Sequence, residues 1–429
     1  MQVSVESAEG LHRRMRVDLP PERFEAEVDK RLRELARTVR LPGFRPGKVP
    51  LKVLRQRFGA QVQSEVFGQM VESTFPEALS QEHLRPAGKP SVEPELDQKR
   101  YAYTATFEVL PTIELVALAG KSIQRPVAEV TEDDVAAMIE RIRRQRRSWS
   151  EADRPAQQGD RLTLSFTAKV DGEDVPDGSA EDTELELGSG RAVPGFEAGL
   201  LGASAGEERR LDLRLPDEYP VAHLKGRSVT YDIRVSKVAE PVLPELDAAL
   251  ARALGIAGGD LERLRADVRR NMERELNQRL RARVKNQVLD LLLEANPIEL
   301  PEGLVKAEIG VLKEQSRQNA GGGQFELPDQ LFEEAARRRV ALGLILAEVV
   351  RVNGITAEPA RVRALVEEMA STFEDPQEVI DYYYGDRQHL ASVESLALED
   401  QVVDWVLGQV AIVDEHTTFT QATGASALG

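Results

Sequence analysis

Along this chain the apolar positions alternate, then recur every three or four residues, then alternate again, so several kinds of structure follow one another. Val3 and Val5, then Met15, Val17 and Leu19, alternate with polar neighbours around Glu9-Gly10, which predicts a β-hairpin. Pro20-Pro21 opens a helix whose apolar positions are Phe24, Val28, Leu32, Leu35 and Val39. Those steps put one stripe on a core and leave Lys30, Arg31, Arg33, Arg37 and Arg40 largely facing water. Gly43 to Pro50 breaks the helix, Leu51 to Phe58 resumes it, and a further helix is expected over Val62 to Ser80. Tyr101, Tyr103, Ala105, Phe107 and Val109 alternate again, closing a first block that reads β-β-α-α-α-β.

From Pro111 to Arg154 the pattern loosens into a connector holding one charged helix, Glu132 to Arg147. A second block, Ala156 to Val238, is mostly strand. Leu162, Leu164, Phe166, Ala168 and Val170 alternate up to an Asp171-Gly172 turn, and Leu185 and Leu187 follow. Leu211, Leu213 and Leu215 come next, then Val229, Tyr231, Ile233 and Val235, with a short helix near Phe196 to Leu201. Short alternating strands of this kind imply a small antiparallel sheet. After Pro241 the chain is expected to be helical to its end. Leu261, Leu264, Val268, Met272, Leu276, Leu280, Val284, Val288 and Leu291 mark one long helix, Pro301 and Pro328 mark helix starts, and Asn353-Gly354 and Tyr384-Gly385 mark stops. Breakers rule against one continuous coiled coil and favour a bundle with extended arms. The fold class is therefore multidomain α+β, with expected domains at 1–111, 155–240 and 241–429 and a connector at 112–154. No internal repeat is visible, and only Gly321-Gly322-Gly323 and the tail from Gln421 are low in complexity.

Composition narrows the chemistry. At 429 residues about three domains are expected. With no cysteine, disulfides and thiolate metal sites are excluded, and the five histidines are too scattered to suggest a metal centre. The N-terminus has no apolar signal-type run, and the longest apolar stretch, Val340 to Val350, is too short for a bilayer and contains Glu348. A cytosolic protein with no membrane partner is expected. The formal net charge is −17, yet Lys30 to Arg57 holds ten Lys or Arg and one acid, a net +9 that leaves −26 elsewhere. Such a patch suits docking onto nucleic acid or another polyanion, although a solvated pair of helices would carry the same charge.

Several motif-like strings dissolve on inspection. Gly43 to Lys48 is not a phosphate-binding loop, since only three residues separate its glycines, no Ser or Thr follows Lys48 and no strand precedes it. Gly202-Ala203-Ser204-Ala205-Gly206 matches a nucleophile elbow in letters, but its helix precedes and its strand follows, the reverse of what the elbow needs. Gly188-Ser189-Gly190 lacks the third glycine of a dinucleotide loop, and the acids of Asp171 to Glu186 lack calcium-loop order. No cofactor and no metal is expected. What the Gly43 loop can do is mechanical: Pro42, Pro46 and Pro50 stiffen it, holding Phe44 beside Arg45 and Lys48. One aromatic and two cations on a rigid tip suit a composite surface of RNA phosphate and protein.

Gly43-Phe44-Arg45-x-Gly47-Lys48-x-Pro50 resembles the ribosome-docking signature of the bacterial trigger factor family, and the resemblance extends over nearly the whole chain. Gly188 to Glu197, with Arg191-Ala192-Val193-Pro194-Gly195-Phe196 at its centre, is similar to the core of FKBP-type prolyl isomerases. Arg269 to Leu276 and Glu367-Glu368-Met369-Ala370 are similar to the family's C-terminal domain. The resemblance implies a ribosome-associated chaperone, partly ribosome-bound in the cytoplasm, that needs no ATP. It would shelter emerging chains beside the exit tunnel, dock on a ribosomal protein and adjacent rRNA, and self-associate when free. It also implies X-Pro isomerisation in a pocket lined by Phe166, Ala192, Val193, Phe196, Tyr219 and Tyr231, and docking through Gly43, Phe44, Arg45, Gly47, Lys48 and Pro50. Val175-Pro176 and Thr183 stand where relatives of the isomerase often carry aromatics, which thins the expected pocket wall. A prolyl isomerase that never docks on ribosomes, and an RNA-binding adaptor, are the competing expectations.

Overall fold

The structure, a computed structural model, describes residues 2–7, 9–39, 41–42, 44, 49–97, 100–170, 173–219, 221, 224–319, 327–371, 373 and 375–424. Arg40, the Asp171-Gly172 turn, the Gly321-Gly322-Gly323 loop and the tail beyond residue 424 lie outside them. The first block forms β1 (Gln2–Ser7), β2 (His12–Leu19), α1 (Pro21–Thr38), α2 (Leu51–Gln81), β3 (Ser91–Asp97) and β4 (Arg100–Glu108). Then come β5 (Ser122–Val127), α3 (Glu132–Gln145), β6 (Ser148–Glu151), β7 (Arg161–Val170), β8 (Glu173–Glu186), α4 (Phe196–Leu200), β9 (Glu208–Arg214) and β10 (Ser228–Val242). The remainder comprises α5 (Ala248–Ala253), α6 (Leu261–Ala295), α7 (Glu302–Asn319), α8 (Gln330–Asn353), α9 (Pro359–Ala370), α10 (Pro376–Gly385), α11 (Arg387–Leu407), β11 (Ala411–His416) and α12 (Phe419–Thr423). The fold is multidomain α+β, and its described residues divide into two compact units, 1–125 with 282–414, and 126–281 with 415–429.

In the first unit β1-β2-β4-β3 form an antiparallel sheet. Its register sets Met15 opposite Ala105 and Val17 opposite Tyr103, so alternation sends all four inward against Phe24, Val28 and Leu32 of α1. The order is β-β-α-α-β-β. The third helix expected after residue 62 is the continuation of α2, which runs through Gly59 because buried Leu54, Val62, Val66 and Met70 lie on both sides of it. A helical glycine costs about 1 kcal/mol, far less than that burial provides. Strand β3 was not expected: Pro94 and its acids obscure the alternation, and both are tolerated because β3 is an edge strand.

The same unit holds three helical cores. Val288 and Leu292 of α6 pack with Ile345 and Val349 of α8, Val402 and Val406 of α11, and Leu118 and Ile123. Two smaller clusters, Val305-Ile309-Ala336 in α7 and α8 and Val362-Val366-Val393-Ala397 in α9 and α11, give each helical arm its own core. Helix α8 stops where expected, with Gly354 left-handed at φ 61°. The chain is not helical to its end, since β11 pairs with β5.

The second unit contains a five-stranded antiparallel sheet in which β10 pairs β7 on one side, with β8 beyond. On its other side β9 meets residues 228–234 and β6 meets residues 239–242. A bulge at Ser236 lets Val235 and Val238, three apart, both face the core. A further core joins Val135 and Ile139 of α3 to Leu264, Val268 and Met272 of α6, and α12 adds Phe419.

Candidate functional site

Alternation on two strands and the start of one short helix bring three rings together. Phe166 points inward from β7, Tyr231 from β10, and Phe196 opens α4. Ring centroids lie 5.0 Å apart for Phe196 and Tyr231, 5.7 Å for Phe166 and Phe196, and 5.9 Å for Phe166 and Tyr231, all edge to face. Phe196 and Tyr231 are buried and Phe166 is half-buried. Ala192, Val193, Tyr219 and Val175 are half-buried and pack on the same cluster. Burial, and secondarily Tyr219, push the Tyr231 phenol above its ordinary value, so it stays neutral at physiological pH. Thr183 sits opposite Leu164 in the β7–β8 ladder.

The loop before α4 is tightly turned. Phe196 N–H donates to the Val193 carbonyl at 3.0 Å, and Gly195 has φ +89°. That left-handed backbone strains any residue with a side chain, and a Cβ on Gly195 would also lie 2.9 Å from Leu213 Cδ2, which would have to shift. The Val193 N–H has no acceptor among the described residues. The sequence reading assigned no role to Glu197, whose carboxylate accepts hydrogen bonds from Gly188, Gly190 and Ala192 N–H and from Ser189 Oγ. An acid nine residues after the start of a Gly-Ser-Gly turn was the available signal.

The basic arm is a second candidate site. Gly43, Arg45, Gly47 and Lys48 lie outside the described residues. Both feet of the loop are fixed: Leu41 and Val49 are buried in the core beneath α1 and α2, and Pro50 precedes the first turn of α2. Phe44 is 40% exposed. The net charge of the arm overstates what it offers, because acids of α1 and α2 neutralise part of it. Lys30 pairs with Glu27, Arg31 with Glu34 and Glu65, and Arg55 with Glu25 and Asp29. Arg33, Arg37, Lys52 and Arg57 are exposed and have no ion-pair partner among the described residues. The helical arms contribute a third kind of surface, with Leu331 68% exposed on α8 and Phe373, Tyr382 and Tyr384 about half exposed around α10.

An aromatic cup behind a glycine-rich loop, on an antiparallel sheet crossed by one short helix, defines a class: an FKBP-type prolyl isomerase head within a larger α+β protein. Comparison with known families agrees. Residues 152–236 match the family described as FKBP-type peptidyl-prolyl cis-trans isomerase, residues 1–142 match Bacterial trigger factor protein (TF), and residues 260–408 match Bacterial trigger factor protein (TF) C-terminus. The chain is 47% identical over 425 residues to a trigger factor of Thioalkalivibrio sulfidiphilus, and 45% identical over 426 residues to one of Azotobacter vinelandii, with 98% of each chain covered in both cases. The chain belongs to the bacterial trigger factor family. It is a chaperone with peptidyl-prolyl cis-trans isomerase activity, and its N-terminal domain is of the family's ribosome-binding kind. A solved structure concerned with promiscuous substrate recognition in folding and assembly by the trigger factor chaperone shares the fold, with TM-score 0.52 at 18% identity over 95% of this chain and 99% of that one. Among the described residues no helix is long and apolar enough to cross a membrane, and no group of three or more His, Cys, Asp or Glu is placed to hold a metal ion.

Proposed function

We propose that this cytoplasmic chaperone isomerises X-Pro bonds in the cup of Phe166, Phe196 and Tyr231, and docks beside the ribosomal exit tunnel through Phe44, Arg45 and Lys48. The observation that carries the isomerase reading is the ring triad with Val193 packed on it, its N–H without an acceptor among the described residues. Rotation about an X-Pro bond must break amide resonance and takes tens of seconds or more without help. No nucleophile or base is required. An apolar cup strips water from the prolyl carbonyl, disfavours the planar, charge-separated amide and so favours the twisted transition state. Phe196 forms the floor, Phe166 and Tyr231 the walls, Ala192 and Tyr219 the rim, and the Val193 N–H holds a neighbouring substrate carbonyl, not the one on the rotating bond. Measuring isomerisation of a prolyl peptide by Phe196→Ala tests this: kcat/KM should fall by about tenfold or more, and a wild-type rate would overturn the assignment.

Docking uses the stretch from Gly43 to Pro50, including Gly43 and Gly47, with Pro50 leading into α2. Phe44 fills an apolar notch on a ribosomal protein, while Arg45 and Lys48, helped by Arg33, Arg37, Lys52 and Arg57, face rRNA phosphate. The −26 outside the arm keeps the body off RNA. Clients are held by the helical body, 241–429, with the connector 112–154 packed on it. Weak, scattered apolar contacts there permit release without nucleotide. Off the ribosome the protein self-associates.

A further inference from the structure

The isomerase head carries a charge that its apolar mechanism does not use. Glu197, the second residue of α4, turns its carboxylate back under the preceding loop. One oxygen, Oε2, accepts from Gly188 N–H at 2.7 Å and Gly190 N–H at 3.3 Å; the other, Oε1, accepts from Ser189 Oγ at 3.0 Å and Ala192 N–H at 3.4 Å. Four donors within five residues converge on one carboxylate, which is the geometry of an anion-binding nest filled by the protein's own side chain. Gly190, at φ +67°, adopts the left-handed turn that this convergence needs. Burial pushes the Glu197 carboxyl up, but the N–H groups of Gly188, Ala192 and Gly190 and the Ser189 hydroxyl outweigh it and hold the group below the usual carboxylate range. It is therefore ionised, as an acceptor of four bonds must be.

Packing holds one side of this loop, through Ala192 and Val193 on the ring cluster. A hollow of about 320 Å³ lies against it, lined by Gln158, Leu187, Pro194, Ala198 and Leu201 among others. The residue immediately after the four tethered ones is Val193, whose N–H has no acceptor among the described residues. We propose that Glu197 is a positioning residue for prolyl isomerisation: by gathering Gly188 to Ala192 onto its carboxylate, it holds the Val193 N–H and the Ala192–Val193 wall at the right distance from the rings. Glu197 touches neither the substrate nor the rotating bond. The inference rests on the pocket reading above.

Because what Glu197 supplies is the orientation of the loop against the rings rather than a contact with the substrate, loss of Glu197 lowers kcat more than it raises KM. The test uses full-length Glu197→Gln, Glu197→Asp and Phe196→Ala, with kcat and KM measured separately on a prolyl peptide and the Val193 amide followed by NMR. Glu197→Gln should lose about tenfold in kcat with KM within about twofold, and its Val193 amide signal should shift and broaden. Glu197→Asp should recover part of both. If Glu197→Gln keeps wild-type kcat while Phe196→Ala is inactive, the Glu197 inference fails and the pocket stands; if Phe196→Ala is fully active, the pocket itself fails. Should Glu197→Gln not fold, Ser189→Ala removes one of the four bonds and carries the test: a kcat loss of about two- to threefold supports the proposal, and wild-type kcat overturns it.

Discussion

At the scale of single residues, the account separates burial from acid–base chemistry. Tyr231 is a wall, so Tyr231→Phe should keep kcat/KM within about twofold, where loss of a true general acid would cost about a hundredfold or more. Its phenol is raised, so the stability contributed by that burial is complete below the unfolded value near 10 and declines as pH rises beyond it towards the folded value. An isomerisation profile flat from pH 6 to 9 checks this, and a step inside that range assigned to Tyr231 would contradict it. Val175 is the converse case. It packs half-buried on the ring cluster and fills less of the wall than an aromatic would, so Val175→Phe should raise kcat/KM about threefold by thickening the wall. Alternation placed Phe166 and Tyr231 on strands of the sheet, but it was the resemblance of the Gly188 to Glu197 stretch to FKBP-type isomerases that proposed them, with Phe196, as pocket residues; the structure brings the three rings together. Glu197, next in the chain after Phe196, went unread, because its role depends on the loop folding back over it, which no periodicity encodes.

Among the elements, the helices and strands with a clean apolar stripe were the readable ones. Helix α6 followed its stripe of leucines and valines, and β7 and β10 their alternation. Strands β3 and β11 escaped notice because one carries Pro94 and acids and the other is mostly exposed, so neither has a buried face to betray it. Elements also meet through polar contacts that are invisible in one dimension. Glu108, at the end of β4, accepts from the N–H groups of Glu302 at 3.0 Å and Gly303 at 2.7 Å, capping α7 from a strand nearly two hundred residues away. Glu108→Ala should cost about 1–2 kcal/mol, seen as lost hydrogen-exchange protection in the first turn of α7 with β2 and β4 unaffected. Lys285 of α6 is half-buried between Glu399 at 3.0 Å and Asp400 at 2.9 Å on α11. Burial lowers its pKa, but those two carboxylates outweigh it and the net shift is upward. Its contribution is thus complete below the unfolded value near 10.4 and lost as pH rises through the folded one. Lys285→Met leaves two acids side by side without their cation, and should destabilise the packing of α6 on α11 by about 2 kcal/mol, between the exposed and buried limits for ion pairs. Chemical denaturation at neutral pH would show it, and an unchanged midpoint would refute it.

For the whole molecule, charge and apolar surface are distributed by task. The overall order of a small α+β block, an antiparallel sheet and a helical body was readable from period changes alone. The division of the described residues into two units was not, since each unit draws on two distant stretches and the sequence carries no mark of that pairing. The basic arm likewise looked stronger in sequence than it is, because Glu25, Asp29, Glu34 and Glu65 are spent on its arginines. What remains among the described residues is a short exposed cationic set, Arg33, Arg37, Lys52 and Arg57, on the helices either side of the Phe44 loop in an otherwise acidic chain. Co-sedimentation with ribosomes at physiological salt tests that directly, using wild type and Phe44→Ala/Arg45→Ala/Lys48→Ala. Wild type should pellet with ribosomes and the triple variant should stay in the supernatant while isomerising prolyl peptides at the wild-type rate; wild type that does not pellet, or a triple variant that pellets equally, would contradict the account.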